Sequence, residues 1–426
     1  MKLYIKNIGM IKEAEVKLNG LTVIAGENET GKSTVGKTLF AIIKSAEMTR
    51  GGFFYTVRNK NIFVKLNEFK TTMKFIANSK NEYEQNARII NLLENDIKKI
   101  VDERLNDYER KKKCNEIFTK YKNDIGENVK ELFYKLQLDI EDMFTQKYKN
   151  EFRKGNFQKI IEYLFDSDIV NKESEESSII IEDLLKKTEI TLSNNEVVYF
   201  KDGGKFFKDA TYIDSPVIFQ IIDLLNDDDL ASKEYMPTIK DLKRKLTGLA
   251  YRINDFELEK KYKDLLSDIV HIINGEIVQN GGKFEFKKNG INYSIKNTAT
   301  GIKSFGILMI LLKKKWILNN SVLILDEPEV HLHPKWQLKY AQIIVKFVQI
   351  GINVLVTSHS PYMIEALKKI SELYKLEDKT NFYLAHQNKV EQIENSNSLT
   401  LEKIFEKLSA PFEEFDKIDE EIAKNG

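Results

Sequence analysis

The chain has 426 residues, 42% hydrophobic and 31% charged, which predicts a soluble globular protein of two or three domains. Basic residues number 66 and acidic ones 65, so the net charge of +1 excludes a global electrostatic footprint for nucleic acid, and any such contact needs a local patch. The single cysteine, Cys114, excludes an internal disulfide and an all-cysteine metal cage, and it fits a reducing cytoplasm. The first residues lack the apolar core of a signal peptide. The longest apolar run, Phe305 to Leu312, is too short to span a bilayer, so no membrane role is expected.

Residues 2–25 alternate through Leu3, Ile5, Ile8, Ile11, Ala14, Val16 and Leu18, with a hairpin-type turn at Asn19-Gly20. Two antiparallel strands are predicted, leading into an apolar strand, Leu21 to Ala25. That strand runs directly into Gly26-Glu27-Asn28-Glu29-Thr30-Gly31-Lys32-Ser33-Thr34, and a helical pattern (Val35, Leu39, Ile42, Ile43) follows to about Arg50, with a break at Gly51-Gly52. Strand, glycine loop and helix form the context in which G-x-x-x-x-G-K-S becomes a phosphate site. The glycines let successive backbone N–H groups turn inward on phosphate oxygens. The opening helix adds its positive end. Lys32 reaches the β- and γ-phosphates and the Ser33 hydroxyl offers a ligand to Mg²⁺, so a nucleoside triphosphate site is expected.

From 53 to 188 glycine is rare, proline absent and charge dense, and apolar residues such as Ile89, Ile90, Leu93, Ile97, Ile100 and Val101 recur at helical spacing. An all-helical insertion is predicted, closed by a polar linker near residues 171–178. Its apolar spacing sustains no heptad, which favours a compact bundle or short hairpin over a long coiled coil. Arg110 to Lys113 reads as a solvated helix face. Residues 189–214 return to strand chemistry, a helical subdomain is expected over 215–275, and turns at Asn280-Gly281-Gly282 and Asn289-Gly290 bracket short strands. The segment 276–375 carries the remaining motifs, and 376–426 is expected to be a tail with one strand and one helix.

Val322 to Leu325 is an apolar run ending in Asp326-Glu327-Pro328, which reads as a buried parallel strand with two acids at its C-terminal end. Asp326 is placed to hold Mg²⁺ and Glu327 to orient or deprotonate the attacking water. A further strand, Ile352 to Thr357, ends in Ser358-His359-Ser360, which puts His359 at the γ-phosphate edge.

This motif order resembles the head of ABC-type ATPases, on the RecF, SMC and OLD-like branch, over about residues 1–52 and 190–375. The resemblance implies an α/β fold, a mixed sheet with flanking helices and an antiparallel β subdomain, interrupted by the helical insertion. It implies ATP and Mg²⁺ as ligands and hydrolysis to ADP and phosphate, with Glu327 and His359 catalytic. Thr300, Gly301 and Lys303 would be the signature residues, offered to the γ-phosphate held by a partner head. Ala299 stands where the family carries serine, and no glutamine stands at Asp214-Ser215, the expected Q-loop position; the nearest is Gln220. The run Glu329-Val330-His331-Leu332-His333-Pro334 resembles the D-loop, with Glu329 and His331 facing the partner head. At least a homodimer is therefore implied. The chain further resembles stand-alone ATPases of bacterial anti-phage systems of the Septu and PARIS types, which implies a sensor or scaffold working with a separate nuclease or toxin. The alternative is a RecF-like repair clamp on duplex DNA, with Lys283, Lys287 and Lys288 or Lys313 to Lys315 as its patch.

Overall fold

The computed structural model describes residues 1–49, 51–77, 79–223, 237–249, 256–330 and 332–425. In chain order the first elements are β1 (Lys2–Ile8), β2 (Ile11–Lys17), β3 (Leu21–Ala25) and α1 (Lys32–Met48). The helices α2 (Gly51–Ile76), α3 (Lys80–Asp102), α4 (Asp107–Tyr121), α5 (Lys130–Asp142) and α6 (Gln146–Leu164) follow. Next come β4 (Glu176–Glu182), β5 (Lys187–Ser193), β6 (Glu196–Lys201), β7 (Ala210–Ile213), α7 (Ile218–Ile221), α8 (Pro237–Thr247) and α9 (Phe256–Ile273). The remaining elements are β8 (Glu276–Asn280), β9 (Lys283–Lys288), β10 (Ile291–Ser294), α10 (Thr300–Lys313), β11 (Val322–Asp326) and α11 (Pro334–Gln349), then β12 (Asn353–Ser358), α12 (Pro361–Leu373), β13 (Thr380–His386), β14 (Lys389–Glu391) and α13 (Asn397–Asn425).

The chain divides into two compact units, Met1–Lys44 with Phe157–Gly426, and Ser45–Asn156. In the first unit an eleven-stranded mixed sheet has the order β6-β5-β4-β1-β2-β14-β13-β3-β12-β11-β7, and β10-β9-β8 form a separate antiparallel sheet. The five strands β13, β3, β12, β11 and β7 run parallel. Of these, β3 and β7 are buried at every residue and β11 at all but its last, as expected for strands covered on both faces. The strands β4 and β5 alternate buried with half-buried residues, the pattern of a sheet with one solvated face. Helix α10 is buried from Lys303 to Leu312 and forms the centre of the main apolar cluster with α9, α11 and α12.

The insertion expected over 53–188 was helical with a polar linker near 171–178; the helices end at Leu164, and β4 lies inside that span, pairing Ile179 with Ile5 and Ile181 with Leu3. Its polar approach, Ser174 to Ser178, masks a short strand whose apolar content is only Ile179 to Ile181. The expected tail boundary at 376 also moves, because β13 sits in the middle of the sheet beside β3, pairing Phe382 with Val23. Gly51 opens α2 instead of closing α1, which ends at Met48. Residues 224–236 and 250–255 of the expected helical subdomain lie outside the described residues.

The second unit packs α2 to α5 around Leu66, Phe69, Ile90, Leu93, Phe118, Phe133 and Ile140. Its helix starts are set locally. Ser79 accepts from the Glu82 N–H, and Asn106 with Glu109 forms a reciprocal capping box. Phe118 and Phe133 pack with ring centroids 5.1 Å apart.

Candidate active site

Parallel strands deliver their C-terminal ends to one edge of the sheet, and the candidate residues follow those ends: the phosphate loop after β3, Asp214 after β7, the acids at the end of β11, and His359 after β12. Gly31 has φ +87°, and a side chain there would also meet Ile11 Cγ1 at 2.7 Å. Gly26 is needed for a different reason, since a Cβ would lie 2.3 Å from the Ala385 carbonyl oxygen of β13. Glu29 takes a left-handed conformation at φ 64°, and Glu27, Asn28 and Glu29 are exposed. The Thr30 hydroxyl donates to the Glu27 carbonyl at 2.9 Å, and the Thr34 N–H donates to the Gly31 carbonyl at 3.0 Å. The loop is pinned to the neighbouring strand end by the Gly26 N–H, which donates to the Ser358 carbonyl.

Lys32 is 4% exposed. Its ammonium donates to the Glu27 carbonyl at 2.6 Å and lies 3.5 Å from Glu327 Oε1. Ser33 Oγ donates to Asp326 Oδ1 at 2.9 Å, which joins the phosphate loop to the end of β11. Two residues that sequence reasoning missed fix the same carboxylate. Tyr212 OH of β7 donates to Asp326 Oδ2 at 2.6 Å, and Thr357 Oγ1 of β12 donates to Oδ1. Burial pushes the Tyr212 hydroxyl well above its ordinary range, and the Asp326 charge adds to this, so the phenol stays a donor. Both residues stand next to last in the strands that flank β11, a pairing that local sequence does not show.

Glu327 adopts φ 49°. A left-handed non-glycine residue costs about 1–3 kcal/mol and persists where its surroundings impose it. Here the Glu327 N–H donates to both the carbonyl and the hydroxyl of Thr357 at 3.1 Å. His359 Nδ1 lies 3.4 Å from Glu327 Oε1. Lys32, Ser33, Asp326, Glu327 and His359 are therefore brought together.

The signature and D-loop residues lie differently. Lys303 is 5% exposed and donates to the Lys296 carbonyl at 2.9 Å, so its ammonium is spent inside the chain. Thr300 opens α10 behind Ala299, which makes no side-chain cap. Gly301 packs close under Trp336, where a Cβ would meet Cε3 at 2.9 Å. Among the described residues no hydrogen bond joins Thr300, Gly301 or Lys303 to the phosphate loop. Glu329 does not face outward as the D-loop resemblance implied. It is 4% exposed, and its Oε1 accepts from Ser358 Oγ at 2.7 Å and from the His359 N–H at 2.9 Å. Burial pushes its carboxyl up, and those donors pull the other way. His331 lies outside the described residues, and His333 is the N-cap of α11, its Nδ1 accepting from the Lys335 N–H. Gln220 is exposed on α7.

The expected lysine patches are diluted. Lys313 pairs with Glu276, Lys315 with Glu259, and Lys314 donates to the Gly248 carbonyl. Lys287 pairs in register with Glu276 and Asn292, and Glu285 lies between it and Lys283 along β9. No described helix is long and apolar enough to cross a membrane.

The SMC head domain from Thermotoga maritima is similar at 12% identity and TM-score 0.35, over 90% of this chain and 93% of that one. An SMC head bound to the C-winged helix domain of ScpA is similar at 11% and 0.41, over 92% and 96%. The ADP conformation of an ABC transporter's ATP-binding cassette is similar at 10% and 0.32, over 95% and 98%. No curated protein matches the chain. The AAA ATPase domain family matches residues 1–364, most of the 426, and this protein belongs to that family.

Proposed function

We propose that the chain binds ATP with Mg²⁺, hydrolyses it, and does so between two heads, each completing the other's site. The observation that carries the reading is the 2.9 Å hydrogen bond from Ser33 to Asp326, with Lys32, Glu327 and His359 around it. Ser33 and Asp326 place two hard oxygens side by side, the donor chemistry Mg²⁺ takes. The Tyr212 and Thr357 hydroxyls hold that carboxylate in one orientation. Bound there, Mg²⁺ would neutralise charge developing on the phosphates. Lys32 exchanges its contact with the Glu27 carbonyl for phosphate oxygens. Glu327 orients the attacking water and takes its proton. His359 faces the γ-phosphate from the end of β12. The uncapped start of α10, with Thr300 and Gly301, offers free backbone N–H groups and a positive helix end to a phosphate across the dimer.

The chain's resemblance to stand-alone anti-phage ATPases supports a role as sensor and scaffold with a separate nuclease or toxin. The test traps Glu327→Gln with ATP and Mg²⁺. Light scattering should show a dimer, and purification from the native host should bring a stoichiometric nuclease or toxin. A monomer under those conditions overturns the composite site. Co-purifying duplex DNA without a protein partner overturns the defence role in favour of a repair clamp.

A further inference from the structure

The segment after Glu327 is tied to the segment after β12 through buried side-chain hydrogen bonds. Glu329 Oε1 takes three donors from that loop: the Ser358 hydroxyl, the His359 N–H and, at 3.3 Å, the Ser360 N–H. A second tie runs from the Ser360 hydroxyl to Gln337 Oε1 at 2.7 Å, and Gln337 donates to the Leu332 carbonyl. Among the described residues, two buried polar atoms have no hydrogen-bond partner at this point, Glu329 Oε2 and His359 Nδ1. The imidazole Nδ1 lies 3.7 Å from Glu329 Oε1 and 3.4 Å from Glu327 Oε1. Buried polar groups left unpaired are costly, so each calls for a partner.

Two carboxylates thus compete for one ring nitrogen. Glu327 is 29% exposed in its side chain, whereas Glu329 is 3% exposed and fixed by its three donors. We propose that Glu329 is the positioning residue of His359: it anchors the loop backbone and accepts Nδ1–H, leaving Nε2 to face the γ-phosphate and Glu327 to serve water. The partner of a histidine's second nitrogen decides which nitrogen carries the proton and where the ring points. The inference rests on the reading of His359 given above.

The test uses the full chain and three variants, Glu329→Gln, His359→Ala and the double variant. Glutamine keeps an oxygen for the loop donors and removes the charge. Turnover of Glu329→Gln should fall about 10- to 100-fold with the KM for ATP unchanged, the range for partners that orient a histidine. In the His359→Ala background the same change should cost nothing more, because both act through one ring. Nitrogen-15 spectra should show Nδ1 of His359 protonated in the wild type, without nucleotide and with a non-hydrolysable ATP analogue, and altered in Glu329→Gln. Unchanged turnover, a further drop in the double variant, or an unaltered ring spectrum each overturns the inference. A wild type that does not hydrolyse ATP overturns the parent reading instead, and the spectra without nucleotide still decide the role of Glu329.

Discussion

At the phosphate edge, residues from β7, β11, β12 and α1 spend their polar side chains on one another. Asp326 alone collects hydroxyls from Ser33, Tyr212 and Thr357. At the start of α10 the polar groups turn away or stay open. Lys303 is buried on a carbonyl, Ala299 caps nothing, and Gly301 is a packing position under Trp336. On the proposed reading, the difference teaches that one chain preorganises the half that would hold phosphate and metal, and leaves its other half as an uncapped helix end for a ligand across the dimer. Preorganised donors act where charge develops because they need no rearrangement at the moment of reaction.

The largest effect expected from this contrast is at Glu327. Glu327→Gln should lower ATP turnover about 10²- to 10⁴-fold while calorimetric ATP affinity holds, as for loss of a general base. An equal fall in affinity would place Glu327 in ground-state binding instead.

The phosphate edge also rests on a buried ion cluster at the start of β7. Lys245 sits 2.7 Å from Asp209 and 2.8 Å from Asp241, and Lys44 sits 2.6 and 2.8 Å from the same pair. Lys245 also donates to the Ala210 carbonyl, at the edge strand that carries Tyr212. Breaking a buried pair strands the partner charges, so Lys245→Met should cost about 3–5 kcal/mol in urea unfolding at pH 7. Burial works against the Asp209 carboxylate, but Lys245 and Lys44 outweigh it and hold it well below the usual range. A lowered carboxyl binds fewer protons folded than unfolded. Its contribution is therefore complete above the unfolded value of about 3.9 and lost as pH falls further. Wild-type stability should drop steeply below about pH 4 for this reason, and the drop should be shallower in Lys245→Met.

Smaller effects belong to the signature half. Gly301→Ala forces a methyl against the Trp336 ring and should cost about 1–3 kcal/mol of stability, with ATP affinity of the single head unchanged. Lys303→Met loses one internal hydrogen bond, about 1 kcal/mol. If closure of the ATP-bound dimer, read by sedimentation, weakens by more than that, Lys303 swings outward and the contrast between the halves softens.

Most of the phosphate edge was legible because its motifs are contiguous: Gly26 to Thr34, Asp326-Glu327 and His359 each follow an apolar run whose burial the sequence states. What was missed depends on pairing between distant segments. Nothing near Tyr212 or Thr357 reveals that β7 and β12 flank β11. The strand β13 looked like tail because only its pairing with β3 makes it central. Glu329 read as an outward D-loop residue, since local pattern does not show that Ser358, His359 and Ser360 close over it. The strand β4 was hidden by its polar approach.

On the proposed reading, the phosphate edge is complete within one chain and the catalytic site is not. Specific ATPase activity measured against protein concentration tests it most directly. Activity per head should rise with concentration and saturate as pairs form, and Glu327→Gln should lower it about 10²- to 10⁴-fold at every concentration. Activity per head that stays constant into the monomeric range would contradict the claim.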